Sequence, residues 1–121
     1  MKTYRGKVEN GEKVINVSEG EKEYSLEYSN PFLVKRCNSE DFDWGCGSAK
    51  AANTALAILI DCLGYVKAVQ LYQAFKWKFV AKWDEEWSIT QDEIEGWAKP
   101  KMKSFSSFVE KPKRLKIHEN K

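Results

Sequence analysis

The chain has 121 residues, of which 42% are apolar, 31% charged and 13% aromatic, and it carries a net charge of +2. That length allows one domain with one core, and the composition is that of a soluble globular protein. No apolar run reaches the ~18 residues that span a bilayer, and the start, MKTYRGKVEN, lacks the apolar stretch of a signal peptide, so a cytoplasmic protein away from membranes is expected.

The charge is uneven. Residues 1–98 hold 12 Lys/Arg against 16 Asp/Glu, whereas residues 99–121 hold 8 against 2. This divides the chain into a mildly acidic domain, 1–98, and a basic C-terminal extension, 99–121. The three cysteines, Cys37, Cys46 and Cys62, are odd in number and lack Cys-x-x-Cys spacing. They read as free thiols in a reducing compartment, with no metal or other cofactor implied.

Asn10-Gly11 stands between two strand-like runs and supplies the two left-handed residues of a type I′ hairpin turn. Gly20 turns the chain again. In KEYSLEYS, Tyr24, Leu26 and Tyr28 alternate with Glu23, Ser25 and Glu27, so one face of this strand is expected to be buried. The expectation is a three-stranded antiparallel meander before residue 30. Residues 30–43 have no sustained period and read as a loop with a short extended piece at FLVKR.

A helix is expected to begin between Ser48 and Ala52 and to end at Leu63. Leu56, Leu59, Ile60 and Leu63 form its apolar stripe, and Gly64 is its C-cap glycine. A second helix covers about Tyr65 to Trp83, with Ala68, Leu71, Tyr72, Phe75, Phe79 and Trp83 inward and Trp77 well off that face. Thr90-Gln-Asp-Glu93 is a capping box. The short third helix runs from Gln91 to Ala98 and stops before Pro100. The fold class is therefore α+β: a three-stranded meander packed by two longer helices and one short one, with the basic extension behind it.

Two features point toward function. The first is the box Trp44-Gly45-Cys46-Gly47-Ser48, just before the first helix. Its glycines leave backbone N–H groups free at a helix start, where Ser48 and Lys50 add a hydroxyl and a cation. Trp44, Gly45, Gly47, Ser48 and Lys50 are the candidate ligand-binding set for a phosphorylated small molecule such as a nucleotide signal. Equally, the glycines permit a tight turn that Trp44 fastens to the core. The second feature is Trp77 beside Lys78, with Phe105, Phe108 and Arg114 in the tail. Capture of a phosphorylated ligand at the box is the expected function, and these residues carry the alternative, an inhibitor or adaptor that binds a protein or a nucleic acid. Phe105, Phe108 and the Leu115/Ile117 alternation also suit a tail that packs on the acidic body or on another subunit of a homo-oligomer.

FDWGCGSAKAANTALAILIDCLG, then AVQLYQAFKWKFVAKW and WSIT, resembles a family of small prokaryotic and phage proteins, the "domain of unknown function" family numbered 6166. That family's box reads Trp-Gly-Tyr-Gly-Gly-Ser-Gly-Pro before an Ala/Leu-rich helix, and Tyr4-Arg5-Gly6 fits its start. Here Cys46 stands for Tyr, Ser48 for Gly, Lys50 for Gly and Ala51 for Pro. The resemblance implies no activity. It implies a setting in phages and mobile elements, hence action against host defence and a host-defence protein among the expected partners.

No complete catalytic set is visible, and a non-enzymatic binding protein is expected. The only histidine, His118, lies three residues from the C-terminus. Cys62 reads as packing. Cys46 lacks a base beside it in sequence, and Asp84, Glu85 and Glu86 read as a solvated turn.

Overall fold

A computed structural model describes residues 1–27 and 41–102. The expectations for FLVKR, Cys37, Tyr28, Phe105, Phe108, Arg114, His118 and the docking of residues 104–117 lie outside the described residues. Strand β1 (Lys2–Glu9) turns into β2 (Glu12–Glu19) through Asn10 and Gly11, whose φ angles are 53° and 80°. These are the two left-handed residues that the hairpin requires, and they set a register running from Lys2↔Glu19 to Glu9↔Glu12. Gly20, at φ 62°, starts the next turn into β3 (Lys22–Ser25).

Among the described residues the sheet has four strands, not three. Its fourth is β4 (Trp87–Thr90), and the order is β3-β2-β1-β4 with every pairing antiparallel. Trp-Ser-Ile-Thr is only four residues long and runs straight into the capping box, so in sequence it reads as the approach to a helix. In the fold, Trp87 lies opposite Gly6 and Ile89 opposite Tyr4, and both side chains are buried. The alternation in β3 does not bury its face as expected. Tyr24 remains 39% exposed because β3 is a short edge strand.

Helix α1 (Ala49–Leu63) is followed by α2 (Tyr65–Lys78), a 3₁₀ turn (Val80–Lys82) and helix α3, residues 91–102. Every residue from Ala51 to Leu59 is buried, so α1 is enclosed on all sides and forms the centre of the core. Gly64 ends it at φ 92°, its N–H bonded to the Ile60 carbonyl at 2.9 Å. Ala68, Leu71 and Phe75 of α2 face inward as the periodicity predicts.

The second helix stops at Lys78 rather than continuing to Trp83. Leaving the α-helix lets Trp83 stack on Trp87, with ring centroids 3.8 Å apart and planes 16° apart. At α3 the capping box forms as expected: the Thr90 N–H donates to Glu93 Oε1 at 2.9 Å, and the Glu93 N–H donates to Thr90 Oγ1 at 3.2 Å. The helix does not stop before Pro100. It runs on through Pro100 to residue 102. Ala98 is buried and Met102 packs on the core, which favours continuing the helix. Among the described residues no helix is long and apolar enough to cross a membrane.

The sheet is tied to the C-terminal end of α1 by Asp61. Tyr4 Oη donates to its Oδ1 at 2.6 Å, Tyr24 Oη to its Oδ2 at 2.7 Å, and Lys2 Nζ to its Oδ1 at 3.0 Å. Burial, then the Asp61 hydrogen bond, raises the pKa of both phenols, Tyr4 far above the ordinary range. Burial opposes the Lys2 charge, but Asp61 outweighs it and raises that pKa too. All three groups hold their protons more tightly in the folded chain than in the unfolded one. Their stabilisation is complete below about pH 10, the unfolded value, and is lost as pH rises beyond it. Between neutral pH and that point denaturation midpoints are expected to stay flat, then to fall steeply above it, and to fall less steeply in Tyr4→Phe. Equal slopes for the two proteins would show that Tyr4 does not carry the effect.

Candidate functional site

The box lies where the chain enters α1, and α2 returns to it. Gly45 adopts φ 78°, and its N–H donates to the Val80 carbonyl at 2.9 Å. A Cβ there would stand 3.0 Å from the Trp83 carbonyl oxygen. At Gly47 a Cβ would fall 2.2 Å from the Trp77 ring. The Gly47 carbonyl accepts from Lys76 Nζ at 3.2 Å, and that ammonium lies 4.5 Å from the centroid of the Trp77 ring. The two glycines are thus explained by contact with α2 and the turn after it: Gly45 supplies a left-handed turn against Val80 and Trp83, and Gly47 a surface flat enough to seat the Trp77 indole.

Trp77 rests on this ledge and is still 58% exposed. Lys78 beside it is exposed, while Lys76 is buried. Sequence reading placed Trp77 off the inner face correctly but missed Lys76. A lysine next to an apolar stripe ordinarily lays its stem along the surface and keeps its charge in water. The ledge also joins features that the sequence presents separately, since Gly45 and Gly47 meet Val80 and Trp77 more than 29 positions later.

One N–H at the start of α1 is capped from within the chain. The Ser48 hydroxyl accepts the Ala51 N–H at 3.2 Å as an N-cap. Asp43 stands beside this end, paired with Lys13 and accepting the Trp44 N–H at 2.8 Å. The Cys46 thiol donates to Asp43 Oδ2 at 3.4 Å and lies 3.4 Å from the Ser48 hydroxyl. Lys50 pairs with Asp41 at 3.3 Å. A groove of about 560 Å³ opens between this corner and the sheet, lined in part by Lys13, Leu26, Phe42 and Lys50. Both of its cations already hold a carboxylate.

Asn53 and Thr54 fix this approach from within α1. The Asn53 amide donates to the Asp41 carbonyl at 2.8 Å, and Thr54 Oγ1 accepts the Asp43 N–H at 2.9 Å. Two polar residues inside an apolar helical run were the sequence signal for this role. Trp44 is buried, donates its indole N–H to the Glu85 carbonyl at 3.1 Å and packs edge-on against Trp87 at 5.3 Å. It fastens the turn to the core as expected.

Burial opposes the Asp43 charge, but Lys13, the Trp44 N–H and the Cys46 thiol outweigh it and lower its pKa. A carboxylate stabilised in this way is a weak base toward Cys46. Its contribution to stability is present above pH ~4, the unfolded value, and is lost as pH falls through the lower folded value. Asp43→Ala is expected to lower the unfolding free energy by about 1–2 kcal/mol at neutral pH. The gap should close in acid, and a gap unchanged at pH ~2 would contradict the assignment.

Cys62 is a free thiol half-buried near the Asp61 cluster, and burial raises its pKa to about 11. It packs against the core, as the sequence suggests. Comparison with known proteins gives one family match, to "Family of unknown function (DUF6166)", over residues 4–100. No curated protein and no solved structure matches the chain.

Proposed function

Because this chain belongs to the family of unknown function DUF6166, we propose its role from geometry: it is a non-enzymatic binding protein that meets a macromolecular partner through Trp77 and the glycine ledge beneath it. The observation that carries this reading is an indole 58% exposed and seated on Gly47, where a Cβ would lie 2.2 Å from the ring. Lone apolar side chains on a surface are ordinary. A tryptophan whose seat requires a glycine and a buried lysine is held in place, and fixed tryptophans carry a large share of binding energy at contact surfaces.

A phosphorylated small ligand at the start of α1 is the competing reading. The cations beside that helix end, Lys13 and Lys50, already hold Asp43 and Asp41, and Ser48 already caps one of its free N–H groups. The geometry therefore favours the Trp77 surface. Native mass spectrometry of full-length protein isolated from its own host cells tests the choice. The wild type is expected to carry a bound macromolecule that Trp77→Ala loses while keeping its fold. A partner retained by Trp77→Ala, or a small phosphorylated compound as the only companion, would overturn the proposal.

A further inference from the structure

The charge around Trp77 identifies the chemistry of the partner. From Cys62 to Trp83 the sequence holds four lysines, Lys67, Lys76, Lys78 and Lys82, and no Asp or Glu. This stretch contains all of α2 and the turn after it. Around the helix, at about 100° per residue, Gln70 and Gln73 fall within about 40° of Trp77. Lys67 and Lys78 lie at about 80° and 100° to one side of it. All four residues are exposed. The nearby acids at the box are engaged, Asp43 by Lys13 and Asp41 by Lys50. No carboxylate among the described residues pairs with Lys67, Lys76 or Lys78.

We infer that the Trp77 face of α2 binds single-stranded nucleic acid, with a base stacked on the indole and the flanking lysines on phosphates. This rests on the proposed role of Trp77 as the contact residue. Surfaces for single strands combine a basic track with an aromatic ring, and stacking on the ring tolerates any base. Exposed amides such as Gln70 and Gln73 can donate to and accept from base edges. A protein partner fits this face less well. Cores of protein–protein contacts are depleted in lysine, and a tryptophan hot spot normally sits in a well-packed desolvated pocket. Here the helix face around the ring carries the amides of Gln70 and Gln73 and the cations of Lys67 and Lys78 beside the exposed Val66 and Ala74.

Fluorescence anisotropy with labelled oligo-dT and oligo-U of about 16 nucleotides, using the full chain, tests the inference. The wild type is expected to bind single strands more tightly than a duplex of equal length. Trp77→Ala should weaken single-strand binding about tenfold, and Trp77→Phe should restore most of it. Lys67→Glu with Lys78→Glu should weaken it further and flatten its salt dependence. Each side chain is on the surface, so melting curves should confirm that the variants fold. Absence of binding at low salt, a preference for duplex, or binding indifferent to Trp77→Ala would overturn the inference. A protein that still co-purifies in a Trp77-dependent way would then leave the broader proposal standing, and loss of both results would end both.

Discussion

Gly6→Val is expected to lower the unfolding free energy by about 3 kcal/mol, enough to shift thermal melting by well over ten degrees in a domain of this size. Gly6 lies in the middle of β1, opposite Trp87, and a Cβ there would stand 2.2 Å from the indole Cε2 and Nε1. That ring cannot move aside cheaply. It is only 8% exposed, stacked on Trp83 and packed against the edge of Trp44. Valine suits a strand in general, so propensity alone predicts the opposite sign. A melting temperature equal to or above that of the wild type would show that Trp87 does not lie over Gly6.

Gly47→Val presents the same 2.2 Å conflict with a different consequence. Trp77 is on the surface, so its ring can swing away into water. The expected loss of stability is below about 1 kcal/mol, as for surface changes generally. Partner binding should fall by at least about tenfold, because the indole no longer has a seat. In a Trp77→Ala background the same substitution should add almost nothing, since both changes remove one interaction. Additive losses in the double variant would mean that the box contributes independently of Trp77, as an anion site at the start of α1 would.

Local chemistry made much of the fold legible. Asn10-Gly11 fixed the hairpin, Gly64 the end of α1, and Thr90 with Glu93 the start of α3, because each signal acts within four residues. What failed depended on distant partners. Strand β4 is recognisable only once β1 lies beside it, and the end of α2 is set by Trp83 stacking on Trp87. The continuation of α3 through Pro100 goes with the burial of Ala98 and the packing of Met102 on the core. At the site, both the box and Trp77 stood out in sequence as separate features. Their contact across 30 positions, and the burial of Lys76 between them, arise from tertiary packing that no short pattern encodes. The Asp61 cluster escaped notice for the same reason, since its donors come from β1 and β3 and its acceptor from α1.

Hydroxyl-radical footprinting of the tryptophans, in intact host cells and in the purified protein, tests the central claim without knowledge of the partner. In the purified protein Trp77, at 58% exposure, is expected to oxidise fastest, well ahead of the buried Trp44 and Trp87. If Trp77 and its ledge form the contact surface, its oxidation should drop sharply inside the cell while Trp44 and Trp87 stay as they were. Oxidation of Trp77 at the same rate in the cell as in isolation would contradict the account.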